Sequence, residues 1–152
     1  MPVSAVYTQA KELAEQNSYR RLQEFLIEHR HKLNIDETDD TGATLLMHAA
    51  RLGTPKCAQV FLEFGSLVDH TDRQHNSALH YAYRHRNAAV GTLLLRHGAS
   101  EGLRNSSGRT AREVFPGDEY KVRTHAASTP AVPATTDRKH MLKHTRTHAR
   151  TK

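Results

Sequence analysis

The amino-acid sequence predicts an all-α repeat solenoid: stacked helix-turn-helix units joined by β-turn hairpin loops, followed by a disordered C-terminal tail. Three observations predict it. The stretch from Thr41 to Ala99 matches itself when slid by 33 residues, so that Gly42, Thr44, Leu46, Met47, Ala49 and Ala50 fall on His75, Ser77, Leu79, His80, Ala82 and Tyr83. Farther on, Phe61-Leu62-Glu63-Phe64-Gly65-Ser66 falls on Leu94-Leu95-Arg96-His97-Gly98-Ala99. Apolar residues at helical spacing lie between glycines and a proline placed where helices stop and start. The composition is 37% hydrophobic and 6% aromatic with no Trp. That suits units which bury their apolar faces against neighbours of the same kind.

Each element follows in order. Ser4 can cap a first helix with Val6, Ala10, Leu13 and Ala14 on one face; Ser18 can cap a second with Leu22, Phe25 and Leu26 at helical spacing. This pair, residues 4–30, carries charge on its outer surface, as an end unit with water on one side requires. From Phe25-Leu26 to Phe61-Leu62 the step is 36 residues instead of 33, which predicts a lengthened loop with Leu33 and Ile35 tucked beneath it. The first full repeat spans 39–71, with an inner helix at about Leu45–Leu52 ending on Gly53. Its outer helix starts at Pro55 and stops at Gly65. In the second repeat, 72–104, His75 and Arg86 stand where the first has glycines, and Tyr83 where it has an alanine. A truncated third repeat, 105–117, keeps a turn and one short helix. Residues 1–123 then form one domain. Residues 124–152 begin with small residues, Pro130 and Pro133 and end in a Thr/His/Lys/Arg run, too poor in apolar groups to order itself.

The segments Asp39-Asp40-Thr41-Gly42-Ala43-Thr44-Leu45-Leu46-Met47-His48-Ala49-Ala50 and Asp72-Arg73-Gln74-His75-Asn76-Ser77-Ala78-Leu79-His80-Tyr81-Ala82 resemble the ankyrin signature, D-x-x-G-x-T-P-L-H-x-A-A. Gly108-Arg109-Thr110-Ala111 opens a third, fading copy. The ankyrin period is of this length, one hairpin and two antiparallel helices per unit. The resemblance implies a protein-binding module whose partner meets the hairpin tips and the exposed side of each inner helix. It also implies that His80 bonds neighbouring backbone and ties one hairpin to the next. Cys57, in this register, falls on an outer helix facing the core.

The formal charge of +6 belongs to the tail. Residues 1–123 carry 16 Lys/Arg against 15 Asp/Glu, whereas 124–152 carry Arg138, Lys139, Lys143, Arg146, Arg150 and Lys152 against Asp137 alone. A single cysteine excludes an intramolecular disulfide and fits a reducing compartment. The N-terminus has no charged region followed by an apolar stretch, so no signal peptide is expected. No run approaches the roughly 18 apolar residues of a membrane span. The expectation is an intracellular protein, cytoplasmic or nuclear, and a monomer.

Enzymatic motifs are missing: there is no glycine-rich phosphate loop, nucleophile elbow, H-E-x-x-H or cysteine pair. No catalytic residue, cofactor or metal site is expected. His48, His75 and His85 fall on turn and inner-helix positions, expected to be exposed and without carboxylate partners. His140, His144 and His148 recur at four-residue steps, a spacing that could hold a transition metal on a helix, but a solvated compositional tract explains them more simply.

The register maps the tips onto Asp40, Thr41, Ala43, Arg73, Gln74, Asn76, Ser106, Ser107 and Arg109. The exposed inner-helix positions are Arg51, Leu52, Arg84 and His85, and Arg104 precedes the last hairpin. Arg51, Arg73, Arg84, Arg104 and Arg109 therefore share one face, and guanidinium forks suit carboxylate or phosphate. The function expected is non-catalytic binding of a partner protein with an acidic or phosphorylated segment, anchored by those arginines with Leu52 and Tyr81. Two alternatives remain open: weak, sequence-independent nucleic-acid binding by Arg138, Lys139, Lys143, Arg146, Arg150 and Lys152, and a pathogen effector working in a host cell.

Overall fold

The computed structural model describes residues 3–114. Seven helices are formed among them: α1 (Ala5–Glu15), α2 (Tyr19–Glu28), α3 (Leu45–Leu52), α4 (Pro55–Glu63), α5 (Ala78–Arg84), α6 (Ala88–Arg96) and α7 (Ala111–Val114). Extended pairing among the described residues is limited to two single bridges, Thr71 with Ser77 and Arg104 with Thr110, which pinch the hairpins. Helices α1, α3, α5 and α7 stack as an inner row, α2, α4 and α6 as an outer row, and each inner helix packs on the outer helix that follows it.

Close approach of the rows follows from alanine. Ala10, Ala14, Ala49, Ala50, Ala58, Ala78, Ala82 and Ala111 are buried at the helix contacts, and Leu22, Leu26, Leu46, Phe61, Leu79, Val90 and Leu94 fill the space between layers. Leu33 and Ile35 lie half-buried against this core, as the lengthened loop predicts. The stripe predicted for α1 omits one residue. Tyr7, not Val6, is the fully buried side chain, and its hydroxyl donates to Ala43 O at 2.9 Å.

Helix ends obey the sequence signals with one exception. Ser4 accepts from Tyr7 N (3.1 Å) and Thr44 from Met47 N (3.4 Å), but Ser18 makes no side-chain cap bond. Inner helices end on a residue in the left-handed region: Asn17 (φ 52°), Gly53 (φ 73°) and Arg86 (φ 59°). Hairpins turn the same way at Gly42, His75 and Gly108. The backbone therefore repeats even where the glycine does not, at a strain of about 1 kcal/mol for each substituted position. Tyr83 replaces Ala50 without distorting the stack, because it lies buried near Arg112 and Glu101.

Candidate functional site

Three hairpins present the surface, and one device builds all three. Asp39 Oδ1 accepts from Thr41 N (2.9 Å) and Ala43 N (3.0 Å); Asp72 Oδ1 from Gln74 N and Asn76 N (both 2.8 Å); Asn105 Oδ1 from Ser107 N (3.0 Å) and Arg109 N (3.1 Å). A short side chain that bonds its own downstream backbone makes a turn without help from its neighbours. The hairpins are then tied together. Arg73 N donates to Thr41 O (3.3 Å), Ser106 N to Gln74 O (2.8 Å), and Asn105 Nδ2 to Asn76 Oδ1 (3.1 Å).

His80 adds the strongest tie. Ser77 N donates to its Nδ1 at 3.1 Å, so the ring proton sits on Nε2, which donates to Arg109 O at 3.2 Å in the next hairpin. Burial holds this imidazole below its ordinary pKa and neutral. The role implied by the ankyrin resemblance is met. On the outer side, Asp36 accepts from Leu67 N (2.9 Å) and Asp69 from Ser100 N (2.8 Å), again 33 residues apart. The tips are rigid because every turn is bonded both within itself and to the next.

Two concavities open on this framework. The first, about 560 Å³, is lined by Lys11, Asp39, Asp40, Thr41, Ala43, Met47, His48, Arg51, Asp72, Arg73, Gln74 and Tyr81. The second, about 430 Å³, is lined by Gln74, Asn76, Arg84, Asn105, Ser106, Ser107, Arg109 and Val114. Of the residues expected to bind, Thr41, Arg51, Arg73, Gln74 and Tyr81 meet in the first, and Gln74, Asn76, Arg84 and Arg109 in the second. Leu52, 41% exposed, lines neither, nor do His85 and Arg104.

Some expectations are corrected. Asn76 is no open tip: it is only 8% exposed, and its amide is spent on Asp72 and on holding the third hairpin. Ala43 is buried too. Arg104 stays exposed but is already engaged, donating to Gly108 O (2.6 Å) and pairing with Glu113 (3.2 Å). His48 departs most. It is only 7% exposed, and its Nε2 donates to the Asp39 carboxylate at 2.8 Å. Its Nδ1 lies buried with no hydrogen-bond partner.

Repeat 2 builds the same pair from other atoms: the Tyr81 hydroxyl, 33 residues beyond His48, donates to Asp72 Oδ2 at 2.6 Å. Burial opposes the charge on Asp39, yet bonds from Thr41, Ala43 and His48 prevail and hold its carboxyl at about 2. Burial lowers the His48 pKa, and Lys11 and Arg51 lower it further against the pull of Asp39. Burial and the Asp72 carboxylate push Tyr81 up to about 12. The His48/Tyr81 and Asp39/Asp72 pairs were readable from the 33-residue step, but only by asking what each repeat puts nine residues after its turn acid.

Arg51, Arg73, Arg84 and Arg109 are exposed and make no side-chain hydrogen bond or salt bridge among the described residues. No group of three His, Cys, Asp or Glu side chains is placed to hold a metal among those residues, and no helix there is long and apolar enough to cross a membrane. Arg138, Lys139, Lys143, Arg146, Arg150 and Lys152, together with His140, His144 and His148, lie outside the described residues.

Stacked helix pairs with tied hairpins and an open concave face define a repeat-type binding module. The family model described as ankyrin repeats (3 copies) matches residues 11–105, more than half of the chain. The chain belongs to the ankyrin-repeat family. It is similar to the ankyrin repeat protein FPV034 of Fowlpox virus (strain NVSL), 26% identical over 118 residues that cover 72% of this chain and 28% of that protein. It is also similar to the E3 ubiquitin-protein ligase Ufd4 of Drosophila melanogaster, 35% identical over 78 residues that cover 51% of this chain and 3% of the ligase. The chain thus spans under a third of the length of either relative. Ankyrin repeats are in general protein-protein interaction modules without catalysis.

Proposed function

We propose that this protein is a non-catalytic interaction module, acting inside a cell, that binds a partner through an acidic or phosphorylated segment laid along its concave face. Residues 1–123 form the ankyrin domain in this reading, and 124–152 a separate basic tail. One observation carries it. Arg51, Arg73, Arg84 and Arg109 stand on bonded turns and helix ends, and none of them forms a salt bridge with a carboxylate of the described residues. The backbone that carries them is already held, and a planar guanidinium fork loses less freedom per hydrogen bond formed than an ammonium does. Thr41, Gln74 and Tyr81 supply neutral polar groups between the arginines, and Leu52 and His85 extend the face beyond the concavities.

The experiment is capture of a protein from cell lysate. The baits are the full-length chain, an Arg51→Glu/Arg73→Glu/Arg84→Glu variant, and a variant with the six tail cations changed to Gln. A protein held by the first and third but lost from the second is the expected result. Recovery of nucleic acid alone overturns the reading and moves function to the tail, provided that it depends on the tail cations and falls steeply between about 50 and 200 mM salt.

A further inference from the structure

We propose that the second concavity is a subsite for a phosphate ester on the partner chain, a phosphoserine or phosphothreonine side chain held between Arg84 and Arg109. The inference rests on the concave-face reading above and sharpens it to one chemistry at one place.

The two concavities differ in charge. In the first, Lys11, Arg51 and Arg73 are balanced by Asp39, Asp40 and Asp72. In the second, Arg84 and Arg109 meet no carboxylate among the described lining residues, which are otherwise Gln74, Asn76, Asn105, Ser106, Ser107 and Val114. Repeat register explains the difference. Repeats 1 and 2 place an acid in the turn and a donor against it, Asp39 with His48 and Asp72 with Tyr81. The third copy has Asn105 and Val114 at those two positions. Asn105 makes the same turn through its amide oxygen, so the hairpin closes without bringing a negative charge. Glu113, four residues after Arg109, is engaged by Arg104 and by Thr110 N (2.8 Å).

Donor count then selects the ligand. A carboxylate has two acceptor oxygens and carries a single negative charge. Two guanidinium forks around it would leave one positive charge unbalanced. A phosphate monoester offers three terminal oxygens and carries close to two negative charges at neutral pH, which two forks and the Ser106 and Ser107 hydroxyls can share. The cavity volume lies within the range of ligand pockets, about 300–1,000 Å³.

The test is a proton–nitrogen NMR titration of the full chain that follows the backbone amide and arginine Nε–Hε signals. The probes are a short alanine-flanked phosphoserine peptide, the same peptide with Glu in its place, and inorganic phosphate. The phosphopeptide should move Arg84, Arg109, Ser106 and Ser107 together and saturably, with the Glu peptide weaker by about tenfold or more. Arg84→Gln or Arg109→Gln should each weaken it by about tenfold, and Arg84→Lys, which keeps charge but loses the planar fork, by several-fold. Both sites are exposed, so the variants keep the native spectrum elsewhere.

Equal response to the Glu peptide overturns the phosphate assignment and leaves the acidic-segment reading intact. Response to inorganic phosphate without the phosphopeptide overturns the partner-chain source. Shifts confined to residues 124–152 overturn the subsite; the lysate experiment, read through Arg51 and Arg73 as well, then decides the broader proposal.

Discussion

Repeats 1 and 2 are the same backbone written in two chemistries, and comparing them separates what the fold needs from what it merely tolerates. At the turn, Gly42 faces His75; at the inner-helix end, Gly53 faces Arg86; all four take the left-handed conformation. At the ninth signature position, Met47 is buried where His80 reaches across to Arg109 O. On the concave side, His48 and Tyr81 each hold the turn acid of their own repeat. Shared are the turn acid, the buried alanine at Ala49 and Ala82, and the hairpin-to-hairpin backbone bonds. What varies is the means of joining one repeat to the next.

That comparison breaks most visibly at His80. Removing its ring in His80→Ala strands Ser77 N and Arg109 O and opens a cavity in a closely packed stack. The expected loss is about 3 kcal/mol, read from urea unfolding of the full chain. His80→Met imports the residue of repeat 1, fills the space, and should cost about half as much. Equal losses for the two variants would mean that the hydrogen bonds of the ring, not its packing, are what this position provides.

Gly53 is next. Its left-handed backbone is one reason for glycine, and Asn87 is the other: a Cβ built on Gly53 would lie 2.5 Å from Asn87 Oδ1. Asn87 Nδ2 donates to Ala50 O (2.7 Å) and Arg51 O (3.0 Å), satisfying carbonyls that the end of α3 leaves open. Gly53→Ala should therefore cost about 2 kcal/mol, strain and a disturbed cap together. Arg86 tolerates a side chain in the same conformation, so the excess of Gly53→Ala over simple strain measures Asn87.

Protonation sharpens the comparison further. Burial lowers the pKa of both His48 and His80. The unfolded chain then binds protons that the folded chain refuses, and stability falls as pH drops from 7 through the ordinary histidine range of about 6.5. Asp39 adds a second loss at lower pH, between its unfolded value and about 2. The melting temperature should fall from pH 7 to pH 5. His48→Tyr copies the Tyr81–Asp72 pair into repeat 1 and should flatten part of that fall. An unchanged pH profile would assign it to His80 alone.

Legibility in the sequence divided along the same line. Periodicity and end signals placed α3 at Leu45–Leu52, where it lies, because glycine and proline act locally. Tyr7 escaped the stripe on α1, since its value lies in a hydroxyl aimed at Ala43 O, a partner far along the chain. His48, Asn76 and Arg104 were assigned to an open surface because their partners, Asp39, Asp72 and Glu113, become visible only when the turns fold. Free and spent cations cannot be told apart from residue type. That distinction is geometric, and it reduced five candidate arginines to four.

The smallest effect is also the cleanest test of the repeat comparison. His75 is exposed at φ 58°, in the place of Gly42, and among the described residues its side chain makes no hydrogen bond that offsets the strain. Left-handed backbone costs a residue with a Cβ about 1 kcal/mol or more, whereas glycine adopts it freely. Glycine also loosens the unfolded chain, which returns part of that gain. His75→Gly should raise stability by about 0.5 kcal/mol, a small upward shift in melting temperature. A loss instead would mean that the imidazole is held by something at the tip, and the tip of hairpin 2 is where the two concavities share Gln74.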